Sequence, residues 1–598
     1  MFQALLLEAL KDKFKNWETG RKDGVSSALS ENASVYFTIG HGILNETYFP
    51  SPDNIVLHSI RFFINNKIDE SELTYKVQLK DLFAPTYIVK TRFKNLTIEK
   101  DFAQNIHSST LLLRYIFSET ISGSFKIYPF LESVVKKSKR NIIIKSKSAF
   151  INISLDIDFT FEQVEDFIII YVSNIKAANL ALSFGQTIEE TIKVRHSKFE
   201  KVQEDFANQW ANYISSLNIG STDPLFLRSI INIKSMEDRL HKGAVVASIA
   251  FPWGDKLPLT ERNGYHLIWV RDLFFISIAM YLAGDKNFAH NSLDYMVKYL
   301  QREDGSFKQN STINGEERWH STQMDQVAFP IILAYVLKRF DLIKSLRKSS
   351  DYIFKNGPYS EQERWEEIGG FSPYAISLQA LALNLFGKMK NVLKENGDKY
   401  LEKADEFKNL IDISTLTKSG IFAKSYYVRV SKGDPDTNRR LMNLNGIDFA
   451  PKEMVSADFL YTVFTGIFNP NKKEILNTVN VIDKTIRVET PKGPSFYRYN
   501  NDIYGFDNPE NPKGRLWVLL TGERGIFELM RGNYSEKYLK AMKDFATSTY
   551  LLPEQVFEDG TPTESATPLA WSHATYIILH KLINYPEIMN KVNYHSFK

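Results

Sequence analysis

The 598-residue chain contains no cysteine. This absence excludes disulfide bonds, thiolate metal sites and a cysteine nucleophile. The sequence also lacks a run of about twenty apolar residues, the length that a membrane-spanning helix needs. Its 74 basic and 70 acidic residues nearly cancel, so the net charge of +4 favours neither a nucleic-acid partner nor a membrane surface.

The N-terminal stretch MFQALLLEALKDKFKNWETGRK carries a short apolar run that Glu8 interrupts and dense charge follows. This pattern indicates a short amphipathic helix and not a secretory signal. We therefore expect a cytoplasmic protein, while a secreted form whose signal has already been removed stays open. Oligomeric state is not readable from the sequence.

A period-two pattern rich in Ile, Val, Phe, Tyr and Thr runs from about Ser34 to Lys193. Stretches such as NIIIKSKSAFINISLDIDFTF and DFIIIYVSNI, separated by polar turns, are typical of many short strands. We predict an antiparallel β-sandwich domain over residues 1–195, and its expected role is structural support. No plausible pair of acid and base residues falls within it.

Apolar residues recur every three or four positions after Ser197, which is helical spacing. Residues 196–222 are predicted to form a helical linker, and residues 223–598 a mostly helical domain with about twelve helices. One of these helices is expected to start at Ser372 as N-cap and Pro373, and to end before Gly387.

Several connections in the helical region are long, and long loops in compact domains are usually functional. Twelve helices with alternating short and long connections favour a double ring of six helical hairpins, with the long loops at one end. These loops span residues 302–321, 412–452, 485–514 and 550–566.

The stretch RWEEIGGFSP places Glu366 and Glu367 directly after Trp365. Successive helical residues point about a third of a turn apart, so a loop is expected to present these glutamates to two different neighbours. A carboxyl group against an indole has a raised pKa, which makes Glu366 a candidate general acid. The alternative is a helix edge with two solvated charges.

A second carboxylate, Glu554, follows Pro553 in LLPEQVFEDG and is expected in a loop. Two carboxylates across a sugar ring can hydrolyse a glycosidic bond, one as acid and one as base. A separation of roughly 6.5 to 9.5 Å admits a water molecule and inverts the anomeric configuration, whereas about 5 Å leads to retention.

Three further stretches carry polar and aromatic residues at loop-to-helix junctions. In YHLIWVRD, Arg271 and Asp272 could grip adjacent sugar hydroxyls, or could form an ordinary surface ion pair. Trp319 could stack on a sugar or belong to the core. Arg498 lies in the polar loop segment FYRYNND.

These stretches, in this order, resemble the family 15 glycoside hydrolases, the group of glucoamylases, glucodextranases and some trehalases. FTIGHGILNETYFPSPD resembles the start of the β-sandwich domain that precedes an (α/α)6 barrel in prokaryotic members. The segments that resemble the barrel motifs are YHLIWVRDL, RWEE, GRLWVLLTGERG, PEQVF and TPLAWSHA.

The resemblance implies an inverting, exo-acting glucosidase that releases glucose from α-1,4-glucans, with Glu366 as general acid and Glu554 as general base. It implies neither a cofactor nor a catalytic metal. The residues that would bind the sugar are Tyr265, Trp269, Arg271, Asp272, Trp319, Trp365, Glu367, Arg498 and Trp571.

Two positions differ from the common family motifs: Val270 replaces the Pro or Thr of WPRD or WTRD, and Phe557 replaces a Trp after PEQV. We expect little effect from either. An α-1,6-specific glucodextranase, a trehalase and an inactive carbohydrate-binding homologue stay as alternatives. His573, in WSHA, is interpreted as a structural residue and not as a catalytic acid or base.

Overall fold

The computed structural model describes residues 20–192, 198–217, 219–250, 264–505 and 513–588. The amphipathic helix expected at the N-terminus lies mostly outside these residues. Within them, no helix is both long and apolar enough to cross a membrane. The chain divides into two compact units, which are Met1–His266 with Ala546–Pro553 and Glu564–His573, and Leu267–Phe545 with Glu554–Thr563 and Ala574–Lys598.

The first unit is built on one branched sheet of fourteen strands, whose neighbouring strands are all antiparallel. The strands are β1 Gly24–Ser27, β2 Tyr36–Gly40, β3 Ile43–Tyr48, β4 Ile55–Ile64, β5 Ile68–Asp69, β6 Thr74–Leu79, β7 Tyr87–Phe93, β8 Leu96–Gln104, β9 Thr110–Pro129, β10 Leu131–Lys137, β11 Asn141–Ser146, β12 Ala149–Leu155, β13 Thr160–Val164 and β14 Phe167–Gly185.

The long strands β9 and β14 explain how one sheet encloses a core. The first half of β9 pairs with β8 and its second half pairs with β4, while β14 pairs with β9 along nearly its whole length. The pairing register of β14 on β9 shifts between Val172 and Ala177, where the sheet changes its partners. Alternate residues of the strands bury a single hydrophobic cluster. The predicted antiparallel β-sandwich is confirmed.

Three helices follow the sheet, α1 Ile188–Ile192, α2 Phe199–Ser216 and α3 Pro224–Ser235. The helical stripe of α2 is buried, and Phe199 and Val202 pack against Ala103 of the sheet. In α3, Asp223 caps the helix by accepting a hydrogen bond from the backbone N–H of Phe226. A helix thus occupies most of the predicted linker, while the domain boundaries at 195 and 222 stay a prediction.

The helical region continues with eleven more α-helices among the described residues. They are α4 Val270–Ala283, α5 Lys286–Tyr295, α6 Met324–Val336, α7 Ile343–Asn356, α8 Pro373–Val392, α9 Asp398–Thr415, α10 Tyr461–Phe464, α11 Lys473–Thr485, α12 Val518–Met530, α13 Glu536–Phe545 and α14 Ala570–Asn584.

Alternate helices line a cavity of about 620 Å³ in the second unit. Its side chains come from α4, α6, α8, α10, α12 and α14, and most of them are apolar. The intervening helices pack against these six; α9, for example, packs along α8. An inner ring of six helices with outer helices between them is the (α/α)6 arrangement, so the predicted fold class is confirmed.

The predicted end of the helix at Gly387 is wrong, because α8 continues to Val392. Gly387 lies inside α8 where that helix touches its neighbour. A Cβ atom at this position would come within 2.7 Å of the Leu401 side chain and 3.1 Å of the Gly397 carbonyl oxygen. The glycine therefore permits close helix packing and does not end the helix.

Eight short strands lie in the loops of the second unit. Four of them form two hairpins, β15 Leu416–Thr417 with β16 Tyr426–Tyr427 and β17 Leu441–Met442 with β18 Asp448–Phe449. The other four form one antiparallel ladder in chain order, β19 Arg487–Thr490, β20 Gly493–Phe496, β21 Leu516–Trp517 and β22 Gln555–Val556.

Candidate active site

The loop between α7 and α8 carries the RWEE motif and is fixed by a buried ion-pair network. Arg364 is buried and bonds to Glu523 through both terminal nitrogens, at 3.0 and 2.6 Å, and to Asp458 at 3.0 Å. Its guanidinium also lies over the Trp365 ring, 4.8 Å from the centroid. Because each charge is paired, the network holds the loop against Glu523 in the middle of α12 and against Asp458, which lies just before α10.

The backbone of Glu366 adopts a left-handed conformation with a φ of 66°, which is rare for a residue with a side chain. Such a conformation costs on the order of 1–3 kcal/mol and persists only where the surroundings enforce it. Here the N–H of Glu366 donates to the Glu363 carbonyl at 3.0 Å, and the N–H of Glu363 donates to the Ile368 carbonyl at 2.8 Å. A tight turn therefore presents Glu366.

The Glu366 carboxylate accepts three hydrogen bonds on one oxygen. The donors to Oε1 are Trp269 Nε1 at 3.0 Å, Gln323 Nε2 at 3.1 Å and Arg271 Nη1 at 3.4 Å. Burial raises the pKa of Glu366 above its ordinary value, although the charge of Arg271 and the hydrogen bonds oppose that shift. The side chain is still 19% exposed. A carboxyl group of this kind retains its proton at higher pH and remains accessible.

Glu367, the next residue, lies in a different environment. Its Oε1 accepts from Arg498 at 2.7 Å and from Asn445 at 2.8 Å. Its Oε2 accepts from Tyr499 at 2.6 Å, Arg429 at 2.9 Å and Asn443 at 3.1 Å. Burial alone would raise the pKa of Glu367, but the two arginines and the hydrogen bonds lower it below its ordinary value. Glu367 is thus an ionised centre that five side chains surround.

Arg271 and Asp272 occupy the first turn of α4. Arg271 is held by Asp325 at 2.6 Å and by Gln323 at 2.6 Å, and the Tyr374 hydroxyl donates to the same Asp325 oxygen at 2.9 Å. Burial raises the pKa of Asp272 to about 7, against the attraction of Arg271. These residues are buried and not a surface ion pair.

Four tryptophans of the second unit form two edge-to-face pairs. Trp269 and Trp319 have ring centroids 6.0 Å apart, and Trp365 and Trp517 have centroids 5.1 Å apart. The Arg498 guanidinium lies 5.4 Å from the Trp365 centroid, and Asp502 holds it with two bonds. The structure therefore brings Trp269, Trp319 and Trp365 to the loops around the two glutamates.

Glu554 directly precedes β22 and is buried. Its carbonyl accepts the N–H of Val518 at 3.2 Å, and in the ladder Gln555 pairs with Trp517, which pairs with Phe496. Directly paired residues of neighbouring strands lie about 5 Å apart. Glu554 therefore directly precedes Gln555, the ladder partner of Trp517. The ring of Trp517 in turn packs on the ring of Trp365.

Tyr265, Trp571 and His573 belong to the first unit, where all three are buried. The Nε2 atom of His573 accepts the Leu552 N–H at 3.0 Å, and its Nδ1 lies 2.8 Å from the Ser229 hydroxyl. Burial lowers the pKa of His573 to about 3, so this imidazole is neutral. The contacts agree with the structural role predicted for it.

Sequence reasoning missed several residues that contact the two glutamates or support them. Gln323 and Asp325 begin α6, while Arg429 and two asparagines come from the 412–452 segment. No periodic pattern marks them. For five of them the available signal was only that they fall in or beside loops whose length predicted a function, whereas Glu363 directly precedes the RWEE stretch. The residues are Gln323, Asp325, Glu363, Arg429, Asn443 and Asn445.

Two family models match the chain. The model of glycosyl hydrolases family 15 matches residues 220–581, and the model of glucodextranase domain N matches residues 12–150. A glucoamylase of Clostridium sp. (strain G0005) is 33% identical over 663 residues, covering 96% of this chain and 92% of that protein.

Two other similar proteins extend the comparison. A crystal structure of a bacterial glucoamylase complexed with acarbose superposes with a TM-score of 0.89 at 31% identity, covering 96% of both chains. An uncharacterized glycosyl hydrolase of Methanocaldococcus jannaschii is 22% identical over 422 residues, covering 65% of this chain and 62% of that protein.

Proposed function

Since the chain belongs to glycosyl hydrolase family 15, we propose that it is an exo-acting glucosidase of the glucoamylase type. It releases glucose from the non-reducing ends of α-1,4-glucans and maltooligosaccharides with inversion of configuration. The observation that carries this proposal is the buried yet accessible Glu366 carboxyl, whose raised pKa suits a general acid.

In the proposed reaction, Glu366 gives its proton to the glycosidic oxygen as the bond from that oxygen to the anomeric carbon breaks. Glu554 takes a proton from a water molecule, and the oxygen of that water attacks the opposite face of the anomeric carbon. Glu366 leaves the step ionised and Glu554 leaves it protonated, so proton transfer through solvent resets the pair.

Binding of the terminal glucose is proposed for Arg271 and Asp272, which present donors and an acceptor side by side at the start of α4. The aromatic residues Trp269, Trp319 and Trp365 would line the pocket, and Arg498 would contact sugar beside the cleaved bond. Sugar contacts of Tyr265 and Trp571 stay predictions from the sequence. A sugar contact for Glu367 also stays a proposal, although five donors already engage its carboxylate.

The relatives support a saccharide substrate with α-1,4 linkages. The Clostridium relative is a glucoamylase, and the bacterial glucoamylase of similar structure binds acarbose. The match to glucodextranase domain N makes isomaltose the most informative alternative substrate. The cytoplasmic location and the absence of nucleic-acid and membrane partners stay predictions.

The test is to incubate the purified protein with maltose, isomaltose and trehalose and to follow the first product by ¹H NMR. We expect maltose to be cleaved fastest and β-glucose to form in excess of its equilibrium share before mutarotation, because the glucose released from the non-reducing end is the β-anomer. Preferential cleavage of isomaltose or trehalose would overturn the assigned linkage, and an initial excess of α-glucose over its equilibrium share would overturn inversion.

The variant Glu554→Gln tests the base. Its kcat on maltose should fall by at least about 100-fold, the usual contribution of general base catalysis. Added azide offers a matched control: it is an anionic nucleophile that needs no base, so it should restore glucosyl transfer in Glu554→Gln but not in Glu366→Gln. A Glu554→Gln enzyme with unchanged turnover would remove Glu554 from the mechanism.

A further inference from the structure

The turn that presents Glu366 is closed at one residue, Glu363. In addition to its two backbone bonds, Glu363 uses its carboxylate inside the loop: Oε2 accepts the N–H of Trp365 at 3.1 Å. Its Oε1 accepts the N–H of Glu367 at 3.5 Å. Glu363 and Glu367 are therefore the two ends of a short frame around Trp365 and Glu366.

Arg429 joins these two ends. Its Nη2 donates to Glu363 Oε1 at 2.8 Å and to Glu367 Oε2 at 2.9 Å. The guanidinium also lies over the Tyr499 ring, 3.7 Å from the centroid, and the Tyr499 hydroxyl donates to the same Glu367 oxygen at 2.6 Å. Arg429 is only 2% exposed, so water does not weaken these interactions.

The segment that carries Arg429 is itself fixed on both sides. The N–H of Arg429 donates to the Met454 carbonyl at 2.9 Å. Two residues later, Ser431 and Phe371 exchange backbone hydrogen bonds at 2.9 and 3.0 Å, directly beside the start of α8. The backbone that carries the Arg429 side chain is thus hydrogen-bonded to the same loop whose two glutamates the guanidinium contacts.

We propose that Arg429 is a positioning residue that keeps Glu366 in its left-handed conformation by holding Glu363 and Glu367 together. Arg429 acts through these two glutamates, since its hydrogen bonds go to them and not to Glu366. The proposal rests on the proposed role of Glu366 as general acid. Loss of Arg429 lets the two glutamates separate and lets Glu366 relax away from the leaving oxygen.

The experiment compares two substrates in Arg429→Met. Cleavage of maltose needs the proton of Glu366 on the leaving oxygen, whereas α-glucosyl fluoride loses fluoride as an anion without that proton. We expect kcat on maltose to fall by roughly 100-fold, because the misplaced acid loses most of a general acid's usual contribution. On α-glucosyl fluoride the loss should be several-fold at most, and KM for maltose should change less than kcat.

Two variants support the comparison. Arg429→Lys keeps a cation that can reach the carboxylates and should recover part of the maltose activity. Glu363→Gln removes one carboxylate of the frame and should reproduce the selective loss on maltose. If circular dichroism and thermal melting show that Arg429→Met does not fold, Arg429→Lys and Glu363→Gln are compared on the same two substrates instead.

Arg440→Met is the matched control, because Arg440 lies in the same segment and forms exposed ion pairs with Asp448 and Glu453. It should leave both activities unchanged. Equal losses on the two substrates in folded Arg429 variants, or no loss on maltose, would overturn the positioning role.

Glu366→Gln separates this inference from the proposed function. If Glu366→Gln hydrolyses maltose as fast as the wild type, the assignment of Glu366 as general acid fails, and the positioning role fails with it. If Glu366→Gln shows the selective loss on maltose while the Arg429 variants do not, the function stands and only the positioning role is overturned.

Discussion

Glu366 and Glu367 are neighbours in the chain, yet they lie in opposite electrostatic environments. Glu366 meets one cation, at 3.4 Å, and accepts its three side-chain bonds on a single oxygen. Glu367 meets two cations, at 2.7 and 2.9 Å, and both of its oxygens are engaged. Both side chains are largely buried, but the pKa rises at Glu366 and falls at Glu367. The number and charge of donors therefore decide the direction of the shift.

The left-handed backbone at Glu366 allows this difference. It turns two successive side chains toward different groups of the second unit, Trp269 and Arg271 on one side and Arg498 and Tyr499 on the other. One carboxyl is suited to proton transfer, and its neighbour is suited to holding charged side chains in place. Each of the following variants tests that contrast.

The largest effect is expected for Glu366→Gln, which removes the transferable proton. Its kcat on maltose should fall by at least about 100-fold, while the free energy of unfolding changes little because no buried cation depends mainly on Glu366. Steady-state kinetics and urea denaturation measure the two quantities. The exposed Glu406 gives the control Glu406→Gln, for which wild-type kinetics are expected. Comparable turnover in Glu366→Gln would remove the basis of the comparison.

Glu367→Gln should mainly affect stability. It leaves Arg429 and Arg498 facing a neutral group, and breaking a buried ion pair costs about 3–5 kcal/mol. Arg498 retains Asp502 and Arg429 retains Glu363, so we expect the lower end, about 3 kcal/mol of unfolding free energy. Urea denaturation measures this loss. A loss no larger than that of Glu366→Gln would show that the contrast between the two carboxylates is absent.

Asp272 adds a third carboxylate, buried like the others, and its pKa is raised from 3.8 to about 7. The folded protein therefore holds a proton on Asp272 over a pH range in which the unfolded chain does not. The associated stability is complete below the unfolded pKa and is lost as the pH rises toward about 7. Asp272→Asn should flatten the fall in Tm between pH 4 and 7. Thermal melting across that range checks this, and parallel curves for the two proteins would contradict it.

The smallest effect is expected for Asn445→Ala, which removes one neutral donor from Glu367. Asn445 is exposed and makes one bond to the carboxylate, so the loss should be about 0.5–1 kcal/mol of unfolding free energy. Asn443 is buried and bonds to the carboxylate with its side chain. Asn443→Ala should therefore cost more in the same denaturation experiment. The reverse order would show that burial does not set the strength of these bonds.

Local patterns predicted most of the fold. Period-two stretches gave the sheet, and helical spacing gave the segments of α3 to α14, because each element must bury one apolar face. The position of Gly387 could not be interpreted in the same way. Its role depends on Leu401 and Gly397, which approach it only after α8 and α9 pack together.

The sequence predicted part of the candidate site, and the reason lies in distance along the chain. Glu366, Glu367 and Arg271 could be predicted as site residues because each lies in a short distinctive sequence motif. Arg429 contacts Glu367 across 62 residues and Asn443 across 76, from a segment with no periodicity. Such contacts depend on how long loops fold over one another, and no local pattern encodes them.

The four-stranded ladder β19–β22 has a consequence for how this enzyme family can vary. Arg498 follows β20 and Glu554 precedes β22, the two strands on either side of β21, so their spacing follows from the hydrogen-bond register of a few backbone groups. Insertions in the connection from Asp502, which holds Arg498, to β21 should leave the two side chains in place, whereas one residue added within a strand would reverse which face it presents. New specificities are therefore best engineered by lengthening that connection, with the ladder left intact.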